Sequence, residues 1–179
     1  MPTPDRTSLD AIVLAARDLL ESEGLAGLSM QAVAARVGVR APSLYKRVAN
    51  REELIQFVAE ASLVELGGRL DQAGSLAQLA DEFRAFGHER SAAFQLIMTP
   101  GAGTPVARPE FGAAASRRTL RLAGELAGQE RALEAARTLT AWAAGFVSME
   151  LNSGFNLGGD VDEAWRFGLA SITRAISTQ

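Results

Sequence analysis

The 179-residue sequence has no cysteine, and this absence excludes several kinds of protein. A chain without cysteine has no disulfide framework, no thiol nucleophile and no thiolate ligand for zinc. Histidine is almost as scarce, because His88 is the only one, and no spacing of acidic residues near it is typical of a metal site. We therefore expect neither a metal nor another cofactor.

Long hydrophobic runs are also missing. Apolar residues make up 47% of the chain, but they are spread periodically. No run approaches the roughly 20 residues that a membrane-spanning helix needs. The first residues, Met-Pro-Thr-Pro-Asp-Arg, lack the apolar core of a signal peptide. These observations predict a cytoplasmic protein with no membrane partner.

Patterns typical of catalysis are absent as well. The sequence contains no serine–histidine–aspartate arrangement, no glycine-rich phosphate loop and no dinucleotide fingerprint. Glu52 and Glu53 are adjacent, but adjacent residues on a helix do not face each other, so they are no acid–base pair. We therefore expect that the protein is not an enzyme.

Acidic residues are missing from one window, residues 24–51, although the whole chain has a net charge of −3. A local surplus of cations in a net-acidic protein is typical of a phosphate-binding surface. Lys46, the only lysine of the chain, lies in this window. The cations in the window are Arg36, Arg40, Lys46, Arg47 and Arg51.

The same window contains two short groups of apolar residues at helical spacing. Gly38 follows the first group, where a left-handed residue commonly ends a helix. Pro42 stands where a second helix would begin, since its fixed φ suits the first helical turn. Two helices joined by a short glycine-containing turn form a helix-turn-helix pattern. The two groups are Met30, Val33, Ala34 and Val37, and then Leu44 and Val48.

The rest of the chain continues the helical pattern and shows no strand alternation. The sequence predicts an all-α fold of about nine helices, with a three-helix head over residues 1–50 and a larger bundle over residues 51–179. The predicted helices of the bundle begin at Arg51 and Ser75 and then cover 111–126, 130–151 and 162–177, with a loop over 99–109. The two final helices carry more apolar surface than a monomer needs, so they predict a homodimer interface.

The helix-turn-helix stretch resembles the tetracycline-repressor (TetR) family of bacterial transcriptional regulators. The resemblance covers about the first third of the chain. It rests on Ala34, Gly38, Val39, Leu44, Tyr45, Arg51 and Leu54. Further on, the run beginning at Trp142 resembles a C-terminal subtype with a Trp-x-x-His-Gly motif, although Ala144 stands where that subtype often has histidine.

The resemblance implies a homodimer whose two heads insert into successive major grooves of a near-palindromic operator. It also implies a small-molecule pocket in the bundle and release of DNA when the ligand binds. An alternative is a helical small-molecule-binding protein that lacks operator recognition.

Seven residues are candidates for DNA contact. Three at the start of the second helix lie where base edges are read in such motifs, and Arg40 among them suits either a guanine or a phosphate. Ser29 suits a phosphate contact, a helix cap or both. Tyr45 and Lys46 match backbone-contacting positions of the family, with packing inside the head as the alternative for Tyr45. The set is Ser29, Arg40, Ala41, Ser43, Tyr45, Lys46 and Arg47.

Four apolar residues are candidates for an effector pocket: Phe86, Trp142, Phe146 and Met149. Aromatic residues and methionine at helical spacing are more often core residues, so core packing is the alternative for all four. Few polar residues lie near them in sequence, which favours a largely hydrophobic ligand.

Overall fold

The structure, a computed structural model, describes residues 8–177, and this part of the chain contains helices and no strands. The all-α prediction is therefore confirmed, with nine α-helices and two 3₁₀ helices in the described range. The α-helices are α1 (Leu9–Gly27), α2 (Met30–Val37), α3 (Arg51–Asp71), α4 (Leu76–Glu89), α5 (Ser91–Met98), α6 (Pro109–Ala115), α7 (Arg117–Ala127), α8 (Ala132–Leu151) and α9 (Val161–Ser177). The 3₁₀ helices are Ala41–Lys46, which we call the recognition segment, and Gln129–Arg131.

The helices begin where short polar side chains satisfy the first free N–H groups. For α1 the sequence predicts a cap at Thr7 or Ser8. The Ser8 hydroxyl accepts a hydrogen bond from the N–H of Ala11 at 3.2 Å, and Thr7 lies outside the described residues. Before α9, the Asp160 carboxylate accepts from the N–H groups of Asp162 and Glu163. These contacts are N-caps of the kind that the sequence predicts.

Glycine determines where the first helix stops being regular. The sequence predicts that α1 ends at Gly24, and this residue has φ 69° and ψ −178°, a conformation that is essentially restricted to glycine. A short helical stretch continues to Gly27 beyond this break.

Two helices differ from the prediction. The second helix of the helix-turn-helix is a six-residue 3₁₀ helix, because its N–H groups bond three residues back, as from Arg47 to the Leu44 carbonyl at 2.8 Å. The single helix predicted over 111–126 is two helices, α6 and α7, which are separated at Ser116. Ser116 has φ −87° and ψ −6°, which departs from regular helix geometry.

Packing divides the chain into two compact units. The first holds the residues up to Val64 together with Arg90–Gly112, and the second holds Glu65–Glu89 and the residues from Ala113 on. This grouping follows contacts, whereas the division into 1–50 and 51–179 concerns function and stays a prediction.

The first unit is built on α1. The buried face of this helix packs against α2 and α5. The carboxylate of Glu21 accepts hydrogen bonds from the N–H groups of Ala92 and Ala93, at 3.1 and 2.9 Å, and so satisfies the start of α5. The buried residues of α1 are Ile12, Ala15, Ala16, Leu19 and Leu20.

The second unit is built on α8, which packs against α4, α7 and α9. Small side chains at the centre let the helices approach closely, since alanine adds little bulk. The buried cluster consists of Ala123, Ala135, Ala136 and Leu139, with Leu76, Leu120, Ala127, Ile172 and Ile176 packed against it. In the described part of the chain, no helix is long and apolar enough to cross a membrane.

One ion-pair network connects three helices of the second unit. Arg84 on α4 binds the carboxylate of Glu150 on α8 through both Nε and Nη2 and reaches Asp162 on α9 at 2.7 Å. His88 Nε2 lies 3.1 Å from Glu150 Oε2. Burial by itself raises the pKa of Glu150, but the hydrogen bonds from Arg84 and His88 outweigh burial and hold this pKa below its ordinary value.

An aromatic cluster lies beside this network. Trp142 on α8 stacks on Trp165 of α9 with ring centroids 4.8 Å apart, and Phe146 meets the edge of Trp165 at 5.2 Å. The backbone of α9 comes close to Trp142 at Gly168, where a Cβ atom would lie 2.6 Å from Cζ2 of the indole. Only glycine fits at this position without displacing the stacked ring.

We predict that Gly168→Ala lowers the free energy of unfolding by about 1–3 kcal/mol, because the new methyl group overlaps Trp142. Urea unfolding at fixed protein concentration measures the change. Gly68→Ala is the matched control, since a Cβ at this α3 position meets no atom within 4 Å. That control should gain about 0.5–1 kcal/mol from the better helix propensity of alanine. Equal effects of the two substitutions would contradict the proposed overlap.

Candidate nucleic-acid interface

The first half of the helix-turn-helix is fixed by its two ends. At the start of α2, the Ser29 hydroxyl accepts a hydrogen bond from the N–H of Ala32 at 3.1 Å, which confirms the predicted cap. At its end, Gly38 has φ 75° and ψ 36°, and its N–H bonds back to the last turn of the helix. This left-handed residue turns the chain towards the recognition segment, as the sequence predicts.

The recognition segment is held by two fully buried side chains. Leu44 and Val48 are both 0% exposed, and they pack into the core of the first unit. Arg40 precedes the segment in an extended conformation, and its carbonyl accepts from the N–H of Ser43 at 2.9 Å. The segment is therefore anchored on one side and free to present its other sides.

The polar side chains of the segment point outwards. Tyr45 is 53% exposed, which disfavours packing inside the head as its role. Lys46, Arg47 and Arg40 are also exposed, while Ala41 and Ser43 are half-buried. In a 3₁₀ helix, side chains three residues apart overlie one another. This period places Ser43 and Lys46 along one face of the segment, while Arg40 precedes it in an extended conformation.

Arg51 belongs to the same basic window but has a different role. Its Nε donates to the carbonyl of Leu28 and its Nη2 to the carbonyl of Leu25, both at 2.6 Å. The guanidinium therefore ties the start of α3 to the last turn of α1 and to Leu28, which follows that helix. Sequence patterning gives no sign of this contact, because its partners are backbone atoms more than twenty residues away.

The start of α3 is capped in a reciprocal way. The Asn50 side chain accepts from the N–H of Glu53 at 2.8 Å, and the Glu53 carboxylate accepts from the N–H of Ala49. This arrangement resembles a capping box, except that Glu53 reaches the N–H of Ala49 rather than that of Asn50 itself. The acidic side chain is thus used within the head.

A buried carboxylate lies further along α3. Glu60 is 4% exposed, and Arg108 binds it through Nε at 2.7 Å and Nη2 at 3.0 Å. The hydrogen bond from Arg108 lowers the pKa of Glu60, against the opposing effect of burial. This pair fastens the segment before α6 onto α3 within the first unit.

The four candidate effector residues lie in different environments. Phe86 is fully buried, and the Arg69 guanidinium lies 5.5 Å from the centre of its ring. Trp142 and Phe146 belong to the aromatic cluster, and Met149 is 45% exposed. The structure thus brings two of the four into direct contact. Their role in ligand binding stays a prediction.

These features define a class of protein. A capped helix, a left-handed glycine and a short helix with exposed cations form the head of a helix-turn-helix DNA-binding protein. Within residues 8–177, no group of three or more acidic, histidine or cysteine residues is placed to hold a metal ion.

Comparison with known families gives the affiliation. Residues 6–58 match the family of bacterial regulatory proteins of the tetR type, and residues 76–172 match the tetracyclin repressor-like C-terminal domain. The chain belongs to the tetracycline-repressor family. This is a family of regulators, which agrees with the prediction that the chain is not an enzyme.

Individual relatives match part of the chain. The chain is 34% identical over 84 residues to the tetracycline repressor protein class A from transposon 1721 of Escherichia coli, covering 46% of this chain and 37% of that protein. It is 42% identical over 59 residues to the transcriptional repressor DrrR1 of Streptomyces coeruleorubidus, covering 33% of this chain and 22% of that protein. The matches thus span well under half the length of these curated relatives.

Solved structures share the fold over nearly the whole chain. A TetR variant from Acinetobacter baumannii AYE in complex with minocycline aligns with a TM-score of 0.68 at 26% identity, covering 94% of this chain and 95% of that one. A protein of unknown function from Rhodococcus sp. RHA1 aligns with a TM-score of 0.78 at 22% identity, covering 99% and 100%. At that identity the second likeness shows the fold alone.

Proposed function

We propose that the protein is a cytoplasmic, sequence-specific transcriptional repressor that leaves a palindromic operator when a small, largely hydrophobic ligand binds. The observation that carries this proposal is the recognition segment. Lys46 and Tyr45 of the segment and the flanking Arg40 and Arg47 are exposed. The buried side chains of Leu44 and Val48 hold the segment in place. Such an element enters a major groove without reorganisation, so little entropy is lost on binding.

Individual contacts follow from the position of each side chain. We assign base readout to Arg40, Ala41 and Ser43, at the start of the segment. We assign phosphate contacts to Ser29, Tyr45 and Lys46, and we place Arg47 at the edge of the major groove. Ser43 and Lys46 share a face of the 3₁₀ helix, so they would contact neighbouring parts of the DNA.

Ser29 serves as both helix cap and phosphate ligand in this proposal, and two substitutions separate the roles. We predict that Ser29→Ala lowers the free energy of unfolding by about 1 kcal/mol, because the N–H of Ala32 loses its partner. Ser29→Asp should retain the cap and keep near wild-type stability. Its carboxylate repels phosphate, so Ser29→Asp should bind operator more weakly than Ser29→Ala does. Fluorescence anisotropy with labelled operator measures the affinity of both variants. Wild-type affinity of the aspartate variant would exclude the phosphate contact.

Dimerisation would bring two heads onto the operator. We place the interface on residues 130–151 and 162–177, because exposed apolar side chains occur along both helices. Leu133 and Met149 on α8 are nearly half exposed, and Phe167 on α9 is 76% exposed. Burial of such side chains against a second copy would stabilise a two-fold symmetric dimer. Sedimentation equilibrium at micromolar concentration tests this interface, and a monomeric mass would contradict it.

For the effector, we propose a site that includes Phe86, Trp142, Phe146 and Met149. The aromatic cluster of α8 and α9 offers a large apolar surface, and the TetR variant of Acinetobacter baumannii holds minocycline. We also propose the Trp-x-x-His-Gly subtype for this half of the chain. Ala144 then means that any role of the subtype's histidine is absent here.

The proposal is tested by selection of bound fragments from genomic DNA, followed by footprinting of the enriched site. We expect one near-palindromic sequence whose half-sites are about one helical turn apart. Enrichment of no sequence would favour the alternative, a ligand-binding protein without operator recognition.

A further inference from the structure

A cleft of about 190 Å³ lies inside the first unit. One wall is the C-terminal half of α1, and the other is α5 with the turn that follows it. The lining residues are Leu20, Gly24, Leu25, Ala92, Gln95, Leu96, Thr99, Pro100, Gly101 and Thr104.

The walls of the cleft are held in place by defined contacts. Glu21 on α1 binds the first N–H groups of α5 and so fixes the distance between the two helices. The turn is closed by the N–H of Thr104, which donates to the Gly101 carbonyl at 3.0 Å. A Cβ at Gly24 would meet no atom within 4 Å, so space is open beside the break in α1. The cleft is therefore a pre-formed feature of the unit.

The lining determines which ligands fit. Leu20 and Leu96 form a buried apolar floor, while the side chains of Gln95 and Thr99 are exposed at the rim. None of the ten lining residues carries a charge. A charged ligand would lose water without gaining a partner, so the lining favours a neutral molecule. A cavity of about 150 Å³ accommodates benzene, which has six non-hydrogen atoms, so the cleft of about 190 Å³ suits a ligand of roughly eight.

We propose that this cleft is a second ligand site, which takes a small neutral molecule with an apolar body and one hydrogen-bonding group. Phe86, Trp142, Phe146 and Met149 do not line it. Its ligand would contact α1, the helix that packs on α2 of the helix-turn-helix, and so would act within the first unit. The cleft is thus a different site from the proposed effector site, and ligand binding to it can be measured without DNA.

Indole is a suitable probe, because it is neutral, has nine ring atoms and carries one N–H donor. We expect saturable changes in the backbone amide NMR signals of Gly24, Gln95, Thr99 and Gly101 when indole is added to the full chain. Tryptamine and indole-3-acetate have the same neutral ring with a charged side chain attached, and they should bind at least about tenfold more weakly. Equal binding of the three compounds, or no change at these four amides, would overturn the proposal.

Substitutions that fill the cleft provide the matched comparison. Ala92→Leu places a larger side chain in the cleft and should raise the dissociation constant of indole about tenfold or more, by removing apolar contact area. Ala26→Leu makes the same change at an exposed residue of the first unit that does not line the cleft, and should leave binding unchanged. Gln95→Trp, at the exposed rim, serves if Ala92→Leu does not fold. Wild-type affinity in a folded cleft variant would refute the site.

Discussion

Replacement of both Tyr45 and Lys46 by alanine is expected to weaken operator binding about 100-fold while leaving the protein folded. Loss of both contacts should cost about 1–2 kcal/mol of binding free energy in each protomer, or about 3 kcal/mol over the two heads. Each 1.4 kcal/mol changes the dissociation constant about tenfold. Folding should not suffer, because Tyr45 is half exposed and Lys46 is exposed. Fluorescence anisotropy with the selected operator measures the affinity.

The control for this variant is Arg117→Ala, which removes an exposed cation from α7 in the second unit. If the cations act only through the overall charge of the protein, this control should weaken binding almost as much as Lys46→Ala. If they act as local phosphate ligands, the control should bind like the wild type. Retention of wild-type affinity by the double variant would contradict the assigned contacts.

The second large effect concerns stability. Glu150→Gln is expected to lower the free energy of unfolding by about 3 kcal/mol, since breaking a buried ion pair leaves a charge uncompensated. The Glu150 side chain is 7% exposed and binds both Arg84 and His88. Asp162, the outer partner of Arg84, has a side chain that is 66% exposed. Asp162→Asn should therefore lower the free energy of unfolding by less than about 1 kcal/mol. Urea unfolding at pH 7 and one protein concentration measures the free energy of unfolding of both variants. Equal decreases for Glu150→Gln and Asp162→Asn would contradict the proposed network.

The effect of Glu150 should also depend on pH in one direction. Its pKa in the folded state lies below the ordinary value of 4.5, so the ionised carboxylate stabilises the fold above that pH. This contribution is lost as the pH falls through the folded pKa. The stability difference between wild type and Glu150→Gln should therefore shrink below about pH 4.5. A difference that grows on acidification would contradict the assigned pairing.

Local signals made much of the head predictable. Ser29, Gly38 and Asn50 act on the fold through contacts within a few residues, so local sequence is enough to predict these contacts. The geometry of the recognition segment was less accessible, because the choice between 3₁₀ and α hydrogen bonding over six residues depends on how Leu44 packs. The role of Arg51 was hidden for a similar reason, since its partners are backbone carbonyls of a distant loop.

Long-range contacts in the second unit could not be predicted from patterning. Arg84 and Glu150 are 66 residues apart, and nothing in either local sequence points to the other. The approach of Gly168 to Trp142 depends on how two helices cross, which a periodicity pattern does not specify. Sequence patterning therefore predicted most of the helices, whereas α5, the break at Ser116, and the ion pairs and ring contacts between helices became visible only in the structure.

In the proposed complex, Lys46 of the recognition segment and Arg47 beside it each contact a phosphate in both heads. The most direct test is the salt dependence of operator affinity for wild type and Lys46→Ala. Neutralisation of about four phosphates by two heads predicts a slope of log K against log salt of about −4, and loss of one lysine per head should reduce its magnitude by about 2. A slope near zero, or one unchanged by Lys46→Ala, would contradict the claim.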